Sequence, residues 1–415
     1  MADQNSQVLV VGAGIVGVST ALYLKREGLD VTILDREGPA AGTSYGNAGI
    51  LATSEVIPVT TPGLWKYIPK ALFSKNEPLF FKWSYLPKLA PFLLRYLTYA
   101  NEKDMKQTAA DLLPLVYDSV EQHRALAAGT DAEQFIRDDE YVYCYPDQAA
   151  FEAEKDQWAL RSSLGLAHKT ADAEELSIFD PVLKGKFGFA ARTLNHGSIS
   201  DPGAYVTALF DAFTELGGKF IKASAQQIVT EGDSAIGVMT DKGLIKSEKI
   251  VIACGAWSNT LMGSVGAKVP LESERGYHIE FVNPNIELRC TIMVRQKKFA
   301  MNSMNGRLRC AGIVEFAGLE APASDGPFKL LRSQVKAIFP ELTYDSTREW
   351  MGHRPSTTDS LPVIGSVGAL SNVWAGFGHQ HLGLTMGPKT GKWLTHLITG
   401  KQLNDNLAPY AADRF

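Results

Sequence analysis

Four apolar residues in a row, Val8-Leu-Val-Val11, run into Gly12-Ala-Gly14-Ile-Val-Gly17. The run predicts a buried strand that the glycines end in a tight turn. A helical pattern follows through Ala21, Leu22 and Leu24 and stops at Gly28. A second apolar run, Val31-Thr-Ile-Leu-Asp35, closes on an acid. Strand, glycine turn, helix, strand and terminal acid together make a complete βαβ unit, which a lone glycine match would not. In such a unit Gly12 makes the turn, Gly14 lets backbone approach a pyrophosphate, and Gly17 lets the helix lie close on the sheet. The helix N-terminus offers N–H groups and a positive dipole end to phosphate, and Asp35 is spaced to accept from ribose hydroxyls.

Further along, the pattern is helical from Lys103 to Ala128 and again from Ala149 to Leu164, and Ala173-Glu-Glu-Leu opens another helix. Asp201-Pro202 reads as N-cap and first helical position of a helix that ends at Gly217-Gly218. Strands are expected around Ile236–Met239 and Ile250–Ala253. The stretch from Glu274 to Val314 alternates as antiparallel strands do. Phe328 to Phe339 reads as a helix, and a last helix is expected to start near Thr390. No repeat or low-complexity tract interrupts the chain.

The 415 residues suffice for two or three domains, with 45% hydrophobic and 21% charged residues, an ordinary globular balance. A net charge of −4 gives no reason to expect nucleic-acid binding. Cys144, Cys254, Cys290 and Cys310 lie far apart, with no metal-type spacing, and read as reduced thiols of a cytoplasmic protein. The N-terminus is short and polar, unlike a signal peptide, and no segment reaches membrane-spanning length.

Glycine-rich turns recur at Gly12–Gly17, Gly42–Gly49, Cys254-Gly255 and Gly376–Gly383. Segments so remote in sequence suit one long ligand, and FAD is such a ligand. Those blocks, with Ile250-Val-Ile-Ala-Cys-Gly-Ala-Trp257, Gly352-His-Arg-Pro-Ser-Thr-Thr-Asp359 and Gly378-His-Gln-His-Leu-Gly383, resemble the D-amino-acid oxidase superfamily, most closely its D-amino-acid dehydrogenase branch. The resemblance spans nearly the whole chain. It implies an α/β flavoprotein: a glutathione-reductase-type, Rossmann-like FAD domain (1–55, 190–262 and 350–415) and an α+β substrate domain with a mixed, largely antiparallel sheet (56–189 and 263–349). It implies flavin contacts from Gly12, Gly14, Ile15, Val16, Asp35 and Arg36, then from Thr43, Ser44, Asn47, Ala48, Gly49 and Ile50. The further contacts implied are Gln226, Gly255, Trp257, Gly378, His379, Leu382, Gly383, Leu384 and Thr385. Cys290 and Cys310 lack a flavinylation context, so FAD is expected to be non-covalent. No second Gly-x-Gly-x-x-Gly offers a nicotinamide site, so the organic substrate itself is expected to reduce the flavin.

The resemblance implies oxidative deamination of a D-amino acid to a 2-oxo acid. A cyclic or secondary amine (D-proline, hydroxyproline, glycine or sarcosine) is the variant, and a flavin-containing structural subunit the alternative of another class. Electrons would pass to a respiratory quinone chain or to oxygen. Arg354, in the Gly-x-Arg-Pro context, is expected to hold the substrate carboxylate, since a guanidinium pairs with it bidentately. The alternative is an ion pair with Asp359. His381 stands where some relatives carry a second arginine, or else packs with His379 under the flavin. Arg275 is a second candidate cation. Phe299 stands where several relatives carry a tyrosine, so a hydroxyl is missing there and an apolar or ring substrate is credible. Asn47 cannot act as a base and is read as orienting the flavin. From Pro58 to Tyr99 the chain is rich in aromatics and lysines. This suits a peripheral contact with the cytoplasmic face of a membrane, or ordinary helices with snorkelling lysines.

Overall fold

A computed structural model describes residues 6–66 and 77–415. Tyr67, Lys70, Phe73 and Lys75 of the aromatic, basic stretch lie outside the described residues. The chain forms two sheets that meet along one large cavity.

The first sheet is eight-stranded. Ser6–Val11 lies in parallel between Val31–Asp35 and Gly243–Ile252. Lys219–Lys222 and Val373–Phe377 extend it, also in parallel. Val363–Ser366 and the hairpin Ala225–Glu231/Ser234–Thr240 add antiparallel edges. The near-continuous apolar strands follow from burial on both faces. On one face pack the helices Ile15–Arg26, Pro202–Glu215 and Gly383–Thr399, joined by Glu102–Val116 and Ser119–Ala127. The predicted cap holds: Asp201 accepts from the Ala204 N–H at 3.1 Å.

The last helix starts at Gly383, seven residues before the expected Thr390. Its glycines are contact points with the first helix, where a Cβ on Gly387 would meet Ile15 and one on Gly391 would meet the Ser19–Thr20 backbone. Pro388 cannot donate to the Leu384 carbonyl. The buried His123 donates to that carbonyl instead, from Nε2 at 2.9 Å. The helix therefore runs through a proline that reads locally as a break.

The second sheet is ten-stranded. In order its main path runs Ser346–Thr357, Leu271–Val282, Arg307–Phe316, Phe299–Met304, Thr291–Val294, Ile136–Tyr145, Phe189–Ile199 and Ile50–Leu51; off that path Leu79–Phe81 pairs with Arg307–Phe316 and His168–Asp172 with Phe189–Ile199. Most pairs are antiparallel, and Thr291–Val294 runs parallel to Ile136–Tyr145. The stretches 190–199 and 350–357, assigned by sequence to the FAD domain, are strands of this sheet. Residues 102–127, assigned to the substrate domain, pack in the core of the first sheet. Their apolar faces match the helices of that sheet, which sequence order does not reveal.

Candidate active site

The cavity between the sheets has a volume of about 970 Å³. Gly12, Gly14, Ile15, Val16, Asp35 and Arg36 line one end. A Cβ on Gly12, where φ is +113°, would run into the Ala253 carbonyl, and one on Gly17 into the Gly12 carbonyl. Strand, turn and helix are thus in backbone contact, as the motif requires. Neither Ile15–Arg26 nor Gly383–Thr399 has a side-chain N-cap or an acid in its first turn, and the first turns of both line the cavity. Two helix N-termini therefore face it with free donors and positive dipole ends.

Asp35 does more than face a ligand. Its Oδ2 accepts from the Ala13 N–H at 2.9 Å, and its Oδ1 from Glu37 and Gly38 at 2.8 and 3.0 Å. The acid fastens the end of its strand to the glycine turn and keeps spare acceptor capacity on Oδ2. Arg36 lies 4.1 Å over the Trp257 ring, and both line the cavity.

The loop Gly42–Gly49 is held by its carbonyls. Arg309 donates to Tyr45 and Asn47, His278 Nδ1 is 3.0 Å from the Gly46 carbonyl, and Asn302 donates to Ala48 at 2.9 Å. Arg309 is itself fixed by Glu280, at 3.0 and 2.6 Å. Ser44 Oγ accepts from the Ile15 N–H at 2.9 Å, and Thr43 donates to the His353 carbonyl at 2.7 Å. Thr43, Ser44, Asn47, Ala48 and Ile50 line the cavity, as do Gly255, Trp257, His379, Leu382, Gly383, Leu384 and Thr385. Within the loop, Asn47 Oδ1 accepts from the Gly49 N–H at 2.8 Å.

Three expected cofactor contacts lie off the wall. Gln226 is exposed, and Ala223, Ser224 and Ala225 line the cavity in its place. Gly49 and Gly378 act through conformation, with φ of +75° and +84°. A Cβ on Gly378 would meet Thr357 at 2.9 Å.

Two expected catalytic residues are also off the wall. Glu274 and Gly276 line the cavity, and Arg275 between them leaves the strand on the opposite face. There it pairs with Glu315 at 2.9 Å and donates to the carbonyls of Ala321 and Pro322. Phe299 is fully buried in the core with Tyr277 and Met301, while its neighbours Lys298 and Ala300 line the cavity. A hydroxyl at 299 would not reach a ligand, so the argument from Phe299 to an apolar substrate falls.

Arg354 and His381 are on the wall. Asp359 does not pair with Arg354; it takes Arg414 at 2.6 and 3.2 Å. The Arg354 guanidinium lies over Gly276, within 2.7 Å of where a Cβ would stand. Among the described residues it makes no hydrogen bond. Its cross-strand partner in the antiparallel pair is Glu274. Burial raises the Glu274 pKa and Arg354 opposes that rise; burial also lowers the pKa of Arg354. His381 opens to the cavity, and burial holds its pKa at about 4, with Glu55 raising it and Arg354 lowering it. His379 also lines the cavity, with its Nε2 2.9 Å from Thr390 Oγ1.

Sequence reasoning missed a charged wall beyond His381. Glu55 is held by Tyr143 Oη at 2.6 Å and Arg161 Nη2 at 3.2 Å. Arg295 forks onto Glu154 at 3.0 and 2.6 Å. Glu55, Tyr141, Glu154, Arg161 and Arg295 all line the cavity. They come from separate segments with no motif spacing, so no local signal marks them.

A large cavity with a glycine cradle, two helix N-termini and an arginine on its wall is the kind of site a flavin-dependent oxidoreductase uses. The family model for FAD dependent oxidoreductases (DAO) matches residues 7–397, and the chain belongs to that family. It is 37% identical over 99% of both chains to D-amino-acid oxidase of Bradyrhizobium diazoefficiens. It is 28% identical to D-amino acid dehydrogenase of Allorhizobium ampelinum, over 99% of this chain and 98% of that one. Glycine oxidase from Geobacillus kaustophilus has the same fold, with a TM-score of 0.74 at 19% identity over 99% of both chains. The cofactor of the family, FAD, fits the cavity's cradle and its uncapped helix ends.

Proposed function

We propose that the protein oxidises D-amino acids to 2-oxo acids and ammonia through the imino acid. The carrying observation is Arg354: a guanidinium on the cavity wall, set over a glycine, with no hydrogen bond among the described residues. FAD would lie along Gly12–Val16, Asp35–Arg36, Thr43–Ile50 and Gly383–Thr385, non-covalently: the buried Cys290 and Cys310 do not line the cavity, and Cys254, which does, gives its thiol to the Val11 carbonyl at 3.2 Å, with burial pushing its pKa up to about 12. When bound, it supplies the two-electron acceptor for the substrate Cα–H.

The chain's own residues do the rest. Arg354 takes the substrate carboxylate in a planar fork, which fixes orientation as well as supplying charge. Glu274 is its cross-strand neighbour; burial raises the pKa of that carboxyl and Arg354 opposes the rise. His381, neutral near pH 7, offers one donor and one acceptor to the substrate without adding charge. The sheets enclose the substrate away from bulk water. Electrons then pass to a quinone chain or to oxygen. Among the described residues no helix is long and apolar enough to cross a membrane. Trp65 and Trp83 are each 60% exposed, beside Lys66 and Lys82, and support a peripheral contact of a cytoplasmic enzyme with a membrane surface.

Steady-state assays of D- and L-amino acids with a dye and with oxygen test the reading. Arg354→Leu is expected to fold and keep FAD yet lose about 2–4 kcal/mol in kcat/KM, on the scale of a buried carboxylate left unpaired. Arg354→Lys should recover part of it, because an ammonium keeps the charge without the fork. Near-normal anaerobic flavin reduction by Arg354→Leu would overturn the assignment.

A further inference from the structure

The charged wall beyond His381 is a built site that the reaction chemistry does not use. Glu55 is nearly buried, with its side chain 17% exposed. Oε2 accepts from Tyr143 at 2.6 Å and Oε1 from Arg161 at 3.2 Å. Arg161 is fixed in turn: its Nε donates to the Ser54 carbonyl at 3.1 Å and its guanidinium lies 4.8 Å over the Trp158 ring. A carboxylate has about four acceptor positions, so one on each oxygen stays open. Both guanidiniums of this wall are tied to acids, Arg161 to Glu55 and Arg295 to Glu154, and Lys298 is partnered as well. Glu154 takes three donors, Tyr145 and Arg295 on Oε2 and Arg295 on Oε1, whereas Glu55 takes two, so Glu55 keeps the larger open acceptor capacity of the two acids.

Its position along the cavity separates it from the reacting carbon. Glu274 is the acid paired across the strands with Arg354. Glu55 feels His381, Arg161 and Arg295, whereas Arg354 feels Glu274. His381 is coupled electrostatically to both Glu55 and Arg354, and all three line the cavity.

We propose that Glu55 selects the substrate side chain, accepting from one that ends in an ammonium, guanidinium or other hydrogen-bond donor and turning away one that ends in a carboxylate. The inference rests on Arg354 holding the α-carboxylate, which leaves the side chain to reach past His381. The acid and its arginine cancel in charge. A donor gains an ionised acceptor held in place beforehand, while a second carboxylate meets that acceptor head-on.

The test is a kcat/KM series on the FAD-loaded enzyme with D-alanine, D-lysine, D-arginine, D-glutamine and D-glutamate. In the wild type, D-lysine or D-arginine should exceed D-glutamate at least tenfold. Glu55→Gln removes the negative charge and leaves Arg161 cationic. It should raise the D-glutamate to D-alanine ratio and lower the D-lysine to D-alanine ratio, each by tenfold or more. Arg161→Gln should move both ratios the opposite way, which general damage to the wall would not do. A wild type that prefers D-glutamate, or ratios unmoved in Glu55→Gln, overturns the role of Glu55 while D-alanine turnover leaves the parent reading standing. Absence of flavin reduction by every D-amino acid overturns both.

Discussion

At the Gly12–Asp35 end of the cavity, the wall is backbone. Glycines bring main chain into contact, helix N-termini present N–H groups, and Asp35 spends most of its acceptors on neighbouring amides. At the Arg354–Glu55 end, the wall is side chain. Arginines, acids and tyrosines from separate strands and helices converge there, with Glu55, Tyr143, Arg161, Glu154 and Arg295 fixed by one another and Arg354 left without a hydrogen bond among the described residues. The first kind of wall tolerates almost no added atom and meets charge with fixed backbone dipoles. The second tolerates change in shape but depends on every charge having a partner. A dinucleotide that many proteins share can be met by backbone; a choice among substrates needs side chains, which vary without breaking the fold.

Gly12→Ala should break the backbone wall with the largest effect. The new Cβ would run into the Ala253 carbonyl at a φ of +113° that L-residues avoid. The variant is expected to purify without FAD or not fold, read from the flavin absorbance per chain. Wild-type flavin content would show that this end is less backbone-built than described.

Arg309→Met tests the link between the two ends. The arginine belongs to the second sheet, yet it holds the Tyr45 and Asn47 carbonyls of the loop at the cavity wall. Its loss leaves Glu280 with Arg307 alone and should cost about 3 kcal/mol, within the range for a broken buried pair. Both melting temperature and FAD affinity should fall. A lower melting temperature with unchanged FAD affinity would confine Arg309 to the second sheet.

Per pH unit, the smallest effect of a single group is titration. Burial holds His278, His379 and His196 at a pKa of about 3 and His123 at about 4. In the unfolded chain they protonate near 6.5, and in the folded protein they do not. The unfolded state therefore binds more protons below 6.5. The stability these histidines contribute is complete above that pH and is lost as pH falls toward 4–3. Each contributes roughly 1.4 kcal/mol per pH unit in that window. Thermal melts from pH 7.5 to 4.5 should show a steepening fall below 6.5. A flat profile would mean that these imidazoles are charged in the fold.

The sequence by itself determined the βαβ unit, the capped helix at Asp201, the antiparallel block after Glu274 and the glycine turns along the cavity. Each rests on a local rule: a glycine where a Cβ cannot fit, a cap one residue before its helix, an alternation along one strand. It also singled out Arg354 and His381, through short motifs around them. Tertiary structure decided which face each side chain takes. Arg275 and Phe299 sit one position from cavity-lining residues, and a strand turns successive side chains to opposite faces. Only the pairing of Leu271–Val282 with Ser346–Thr357 says which face is the cavity. Tertiary structure also decided the early start of the last helix, since His123, some 260 residues away, satisfies the carbonyl that Pro388 frees. The Glu55–Arg161–Tyr143 wall was beyond reach for the same reason: its members meet through long-range packing, which leaves no spacing along the chain.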